Sequence, residues 1–360
     1  MKILFGVPIK VHKEIAEAEV EAFKKSGVEV TCSYFGNSGY VKDFFGRFFL
    51  ILKNAINLNI KAKKSKVEIV YLNTAFDHKT LVRDAITLAI IKGFNRKIKI
   101  ILKLHGSIES VIFSRNFLKN YILRNTDLLL LLSVEEFDAF LKAGVDKNKL
   151  KITANAINKT LYQPDCYFRD TFNLKNGTLT LLFIGRLIQQ KGILDLIEAC
   201  KLLKEKKLDF RLFCLGDGPL LGKIKEMITA LDLQSEIILK GHIPEVETKY
   251  FYSNCDLLIL PTYREGFSMA IFQAIAAGKP IITTKVNASA DYLTEFENCL
   301  WIKRNNPKDV SEKIMCLAEN KEMRSKMSAN NLMLADNFTA EKIVEKLNIH
   351  FKSLLQDQKN

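Results

Sequence analysis

Short apolar runs alternate along this chain with longer stretches in which apolar residues recur every three or four positions. Such runs are typical of strands buried on both faces, whereas the longer period is typical of helices packed on one side. The runs predict strands at 2–6, 28–33, 68–72, 97–104, 127–132, 150–153, 180–184, 210–215, 236–240, 255–260 and 280–283. The longer period predicts helices at 13–25, 44–60, 79–91, 134–142, 193–206, 219–231 and 269–277.

Alternating strands and helices of this kind indicate parallel sheets covered by helices on both faces. The pattern runs through the chain twice, which predicts an α/β protein with two Rossmann-like domains facing a cleft. The least regular stretch lies at 160–178 and is the predicted linker. Residues 339–355 form one further amphipathic helix that no strand follows, so this helix must pack on one of the domains.

Composition and charge narrow the function classes. The chain has 360 residues, of which 48% are apolar and 26% charged, which is typical of a globular protein. The net charge is +14, of which the first 170 residues carry +11, so an anionic partner is expected: nucleic acid, an acidic membrane surface or a phosphorylated substrate. The seven cysteines are scattered without CxxC spacing and the histidines without HExxH, which predicts a reduced cytosolic chain without disulfides or zinc.

The first candidate site follows the strand at 180–184. Gly185, Arg186, Lys191 and Gly192 occupy the loop between this strand and the next helix. Ligands of open α/β sheets bind at the carboxyl ends of strands, and two cations beside a helix start suit phosphate oxygens. The alternative is that both cations are solvated loop residues.

The second candidate site is the segment from Glu265 to Ser268, which precedes the predicted helix at 269–277. Gly266 permits close approach of the backbone to a ligand. The Glu265 carboxylate can accept two hydrogen bonds from vicinal hydroxyls such as those of a sugar ring. The alternative is an acidic residue that is favoured at a helix start by the macrodipole alone.

Several motifs occur here in an order that resembles the retaining glycosyltransferases of family 4, which have the two-domain GT-B architecture. They are GRLIQQKG at 185–192, LGDGP at 215–219, KGHIP at 240–244 and the Glu265 loop followed by AAGKPIITT. The resemblance is clearest from 180 to 293 and continues more weakly through LHGS at 104–107 and the tail at 338–347.

The resemblance implies a donor domain at 166–338, an acceptor-side domain at 1–165 and a helix at 339–360 that returns to the first domain. It implies that Arg186 and Lys191 neutralise the donor diphosphate and that Glu265 holds the donor sugar. His105 would reach the sugar from the first domain. The donor-binding residues that it implies are Gly185, Arg186, Lys191, Gly216, Ile243, Glu265, Gly266, Phe267, Ser268 and Gln273.

Position 273 departs from the family, which commonly has a second glutamate there. Gln273 can still accept a hydrogen bond from a ribose hydroxyl through its carbonyl. The resemblance implies retaining transfer from a UDP- or GDP-linked sugar to a glycan or lipid-linked acceptor. No DxD pair stands in a suitable loop, so we expect no metal and no cofactor besides the nucleotide sugar. The alternatives are a catalytically weak nucleotide-sugar-binding protein of the same fold and a GT-B sugar epimerase.

A basic, phenylalanine-rich stretch at 41–66 is a candidate contact with an anionic membrane surface, which would place the protein at the inner face of the plasma membrane. The alternative is that its phenylalanines pack in the core of the first domain. Nucleic acid is not an expected partner, because the strands lack the interleaved aromatic and basic residues of a stacking surface.

Overall fold

The computed structural model describes residues 1–8, 13–35, 43–105, 112–159 and 162–356, except for the side chain of Phe44. Parts of four predicted features lie outside these ranges: residues 106 and 107 of LHGS, 41 and 42 of the basic stretch, 160 and 161 of the linker, and 357–360 of the helix at 339–360. Contacts divide the chain into two compact units. Unit 1 comprises Met1–Ala156 with Phe338–Asn360, and unit 2 comprises Ile157–Asn337.

Unit 1 is built on a six-stranded parallel sheet with the strand order β2-β1-β3-β4-β5-β6. Its interior is apolar because most positions of the inner strands are buried on both faces. The strands are β1 Lys2–Pro8, β2 Glu29–Phe35, β3 Ile69–Thr74, β4 Lys99–Leu104, β5 Leu128–Leu131 and β6 Leu150–Ile152. The helices between them are α1 Lys13–Lys25, α2 Phe44–Lys64, α3 Leu81–Phe94, α4 Phe117–Asn125 and α5 Val134–Lys142.

A charged pair with both side chains buried lies inside unit 1. Lys103 on β4 donates to the carboxylate of Glu19 on α1 at 2.5 Å, and both side chains are almost fully buried. The Tyr71 hydroxyl donates to the other Glu19 oxygen at 3.1 Å, and Lys103 also donates to the Ala154 carbonyl at 3.1 Å. Since a buried charge needs partners, these hydrogen bonds tie α1 to the sheet.

Unit 2 contains a second six-stranded parallel sheet, with the strand order β12-β11-β10-β7-β8-β9. The strands are β7 Leu179–Ile184, β8 Phe210–Leu215, β9 Ile237–Gly241, β10 Leu257–Leu260, β11 Ile281–Thr284 and β12 Cys299–Ile302. The helices are α6 Phe168–Thr171, α7 Ile193–Glu205, α8 Leu221–Ala230, α9 Glu245–Asn254, α10 Met269–Ala276, α11 Asn287–Tyr292, α12 Pro307–Glu319 and α13 Lys321–Ala335.

The strand order of unit 2 reverses between β7 and β10, which are neighbours in the sheet. From β7 the chain proceeds outward through β8 and β9, and from β10 it proceeds the other way through β11 and β12. The connections after β7 and β10 therefore lead to strands on opposite sides of this point in the sheet. This is the point at which open α/β sheets bind their ligands.

The last helix, α14 Ala340–Gln356, belongs to unit 1. Its buried face includes Phe351, whose ring stacks on that of Phe23 of α1, with centroids 5.7 Å apart. Lys25 of α1 and Glu341 of α14 form an ion pair at 3.6 Å. The expected return of this helix to the first domain is confirmed. The predicted domain limits at 165 and 338 stay predictions.

Candidate functional site

The loop after β7 approaches the end of β10 more closely than a side chain would allow. Gly192 has a φ of +67°, and a Cβ on it would lie 2.0 Å from the carbonyl oxygen of Pro261. Any other residue would therefore combine backbone strain with a backbone clash. Arg186 is exposed in this loop, and Lys191 ends a turn of 3-10 helix immediately before α7.

A second close approach joins the ends of β7, β8 and β9. The Gly185 amide donates to the Leu215 carbonyl at 3.0 Å, and the Gly216 amide donates to the Gly241 carbonyl at 2.8 Å. Gly216 has a φ of +143°, and a Cβ on it would lie 1.9 Å from the Gly185 carbonyl oxygen. The surface at these strand ends is thus made largely of backbone, the kind of surface that can approach a diphosphate closely.

The two candidate loops meet through an ion pair. The Lys191 ammonium contacts the Glu265 carboxylate, and their side chains are only 14% and 17% exposed. Since Lys191 and Glu265 follow neighbouring strands, the pair lies at the reversal point of the sheet. The structure therefore brings together Lys191 of the first candidate site and Glu265 of the second, which the family resemblance assigns to one donor site.

Backbone contacts hold the Glu265 loop against the turn that carries Lys191. The Gln190 carbonyl accepts from the Thr262 hydroxyl at 3.0 Å and from the Tyr263 amide at 2.7 Å. The Tyr263 hydroxyl donates to the Asp195 carboxylate on α7 at 2.7 Å. Burial raises the pKa of the Tyr263 phenol, so this group remains a hydrogen-bond donor. These contacts hold the loops in position without involving the ion pair.

The segment from Gly266 to Ser268 connects this pair to the start of α10. Phe267 is buried, and its ring stacks on that of Phe272 with centroids 3.8 Å apart. The Gly266 carbonyl accepts from the Ala288 amide at 3.3 Å. The backbone of this segment is thus fixed where Ser268 opens the helix, and the first-turn amides of a helix suit anionic groups.

Gln273 lies further along α10 and contacts a residue that sequence reasoning missed. Its amide nitrogen donates to the Glu245 carboxylate at 3.0 Å. Glu245 opens α9, and the half-buried Ile243 precedes it by two residues. Position 273 therefore has a carboxylate beside it, supplied by the neighbouring helix. An acidic residue immediately after Pro244 was the only available signal for Glu245.

His105 is the one predicted site residue that belongs to unit 1. It follows β4, where its amide donates to the Thr74 carbonyl at 2.8 Å and its Nε2 lies 2.7 Å from the Asn73 side-chain oxygen. Beside Thr74 lies Asp84, which is fully buried and paired with Arg83 at 2.7 Å. Burial raises the pKa of the Asp84 carboxyl, although Arg83 opposes this shift.

The two six-stranded parallel sheets, each with flanking helices, make this chain an α/β protein of the two-domain GT-B class. A crystal structure of Anabaena HepE in complex with UDP and glucose has the same fold: the TM-score is 0.75 at 17% identity, over 98% of this chain and 100% of that one. A crystal structure of a glycosyltransferase from Rickettsia africae gives a TM-score of 0.76 at 18% identity, over 98% of each chain.

Sequence comparison identifies the family. The model of the glycosyl transferases group 1 matches residues 168–332. An uncharacterized glycosyltransferase of Methanocaldococcus jannaschii is 30% identical over 315 residues, which cover 86% of this chain and 81% of that protein. The chain belongs to the group 1 glycosyltransferases. A capsular polysaccharide biosynthesis glycosyltransferase of Staphylococcus aureus is 26% identical over 186 residues, which cover 51% of this chain and 48% of that relative.

Proposed function

We propose that this protein transfers a sugar from a UDP- or GDP-linked donor to an acceptor hydroxyl, with retention of anomeric configuration and without a metal ion. The observation that carries the proposal is the Lys191–Glu265 ion pair at the point where the strand order of unit 2 reverses. A cation and a carboxylate side by side match the two parts of such a donor, its diphosphate and its hydroxyl-bearing sugar.

Charge explains how these residues would act. Cleavage of a sugar–phosphate bond builds negative charge on the leaving diphosphate, and positioned cations lower that barrier. Lys191 is held in place by its contacts, and the exposed Arg186 lies five residues earlier in the same loop. Glu265 would release part of its contact with Lys191 and accept hydrogen bonds from the sugar. These two cations would do the work for which other transferases use a divalent ion.

The proposed reaction conserves every atom of donor and acceptor. The acceptor oxygen bonds to the anomeric carbon on the face that the diphosphate leaves, while the carbon–oxygen bond to the diphosphate breaks. The acceptor proton passes to the leaving phosphate oxygen. No protein nucleophile is needed, and we assign none.

Two of the similar proteins support the proposed donor and acceptor classes. The Anabaena structure contains UDP and glucose, and the Staphylococcus aureus relative acts in capsular polysaccharide biosynthesis. We therefore propose a glycan or lipid-linked glycan as the acceptor. We propose a cytoplasmic location because the seven scattered cysteines suit a reducing compartment.

A panel of UDP- and GDP-linked sugars tests the proposal. We expect one donor to raise the unfolding midpoint in the presence of EDTA, since a ligand of the folded state stabilises it. The same donor should be hydrolysed slowly or transferred, and NMR of the sugar released first should show the donor's anomeric configuration. Binding without turnover would instead favour the nucleotide-sugar-binding alternative, and inversion or a strict need for metal would contradict the mechanism.

A further inference from the structure

Helix α2 of unit 1 carries a continuous apolar stripe that faces solvent. Five residues spaced three or four apart form it, so they lie on one side of the helix. We call this the α2 stripe: Phe45, Phe49, Leu52, Ile56 and Ile60. Four of its members are between 42% and 73% exposed, and Leu52 is half-buried. A stripe of this length at 1.5 Å per residue extends over about 23 Å.

The stripe is not the face by which α2 packs on its own unit. Ala55, Leu58 and Ala62 are buried, and Leu58 and Ala62 belong to the hydrophobic core cluster of unit 1. They occupy only the second half of the helix, and no described side chain from 45 to 53 is buried. The first half of α2 therefore presents exposed aromatic side chains, Phe45, Phe48 and Phe49.

Helix α3 widens this apolar surface. Phe94 at its end is 70% exposed, and Ile90 lies one turn earlier. Between α2 and α3 runs an open groove of about 660 Å³, within the range of about 300–1,000 Å³ typical of small-molecule pockets. Its lining is mainly apolar and ends in two lysines: Leu52, Ile56, Asn59, Ile60, Lys63, Lys64, Ile90 and Phe94.

The charges around the stripe have one sign. Between residues 43 and 66 the only acidic residue is Asp43, against six cations: Arg47, Lys53, Lys61, Lys63, Lys64 and Lys66. Lys61 donates to the Cys32 carbonyl at 3.1 Å, whereas Lys53 and Lys64 are exposed along one edge of the stripe. Lys63 lies at the end of the stripe itself. The surface thus combines exposed aromatic groups with a cationic border.

From this combination we infer that the α2 stripe docks on an anionic phospholipid bilayer, with the helix lying in the plane of the interface. The aromatic and aliphatic side chains enter the acyl boundary while the lysines contact the head groups. A protein partner would need an apolar surface with acidic groups at matching positions. An anionic bilayer has an apolar acyl region and acidic head groups over its whole surface. Within the described part of the chain, no helix has the length and hydropathy required to cross a membrane.

Vesicle co-sedimentation without donor or acceptor tests this inference independently of the proposed function. Vesicles of phosphatidylcholine are compared with vesicles that also contain about one-third phosphatidylglycerol, at about 0.1 M salt. We expect wild type to bind only the anionic vesicles. Phe45→Ser/Phe49→Ser should lower the partition coefficient at least about tenfold. Lys53→Gln/Lys64→Gln should lower it about 25-fold, fivefold for each lysine.

Matched controls come from unit 2. Tyr167→Ser/Met333→Ser removes two equally exposed apolar side chains, and Lys321→Gln/Lys326→Gln removes two exposed lysines. Neither pair should change vesicle binding, and thermal unfolding should show that all four variants fold like wild type. Three results would each overturn the inference: no binding of wild type to anionic vesicles, equal binding to neutral vesicles, or full binding by Phe45→Ser/Phe49→Ser.

Discussion

Replacing each candidate cation in turn should separate their roles, because the two differ in what surrounds them. Arg186 is exposed, and within the described ranges its guanidinium has no hydrogen bond or ion pair. Lys191 contacts Glu265 in a partly buried pair. If both cations bind the diphosphate, both variants lose activity, but only one of them should lose stability.

The expected magnitudes follow from burial. Breaking an exposed ion pair costs about 0–1 kcal/mol and breaking a fully buried one about 3–5 kcal/mol. At 14% and 17% exposure the Lys191–Glu265 pair lies between these limits, so Lys191→Ala should cost about 1–3 kcal/mol. For a unit of this size that corresponds to a lower unfolding midpoint by about 2–10 °C. Arg186→Ala should change stability by less than about 0.5 kcal/mol.

Catalytic activity is the second measurement, after stability. Each variant should lower kcat/KM for transfer or donor hydrolysis by about 10²–10³-fold, since each removes one charge contact to the leaving group. The double variant Lys191→Met/Glu265→Gln supplies the control, because removing both charges should recover most of the stability but none of the activity. Activity of Arg186→Ala or Lys191→Ala within about threefold of wild type would contradict the assigned roles.

Two further changes test the surroundings of the site and the interior of unit 1. Gln273→Glu would place a second carboxylate beside Glu245, where the Gln273 amide now donates at 3.0 Å. Urea denaturation should show that the free energy of unfolding falls by about 1 kcal/mol, and adding Glu245→Gln should restore it. An unchanged urea midpoint would mean that the two side chains separate in solution. Burial raises the pKa of Asp84 above its ordinary value of 3.8, so the folded state holds the proton more tightly and stability falls as pH rises above that value. Asp84→Asn should flatten this decline of the free energy of unfolding as pH rises above 3.8, and an unaltered slope would assign the decline to other groups.

The architecture could be predicted because parallel strands buried on both faces leave apolar runs in the sequence. Every predicted strand is present to within a few residues. The pattern missed β12, a four-residue strand whose Trp301 is only half-buried. It also missed six helices: α4, α6, α9, α11, α12 and α13. β12 lies at the edge of its sheet, and α13 buries Met327, Asn331 and Ala335, so its apolar period is weak.

Side-chain pairs proved predictable only where strand order brings their loops together. Lys191 and Glu265 follow strands that are neighbours in the sheet, so motif order was enough to place them in one site. The contact between Gln273 and Glu245 depends instead on how two helices pack. The Glu19–Lys103 pair spans 84 residues and includes a lysine inside an apolar strand, where the local pattern indicates only a strand.

Helix α2 shows why a period alone cannot decide which face turns inward. Both the stripe and the opposite positions 55, 58 and 62 are apolar, so the sequence allowed the phenylalanines to be core residues. The distance between α2 and its neighbours decides which face turns inward, because the side chains at a contact set how closely a helix can approach. Helix α2 packs on α3 and β2, and the small residues Ala55 and Ala62 are buried on it, whereas the larger phenylalanines would hold the helix away. The bulky residues are therefore left outside, and the exposed stripe follows from close packing on the other side.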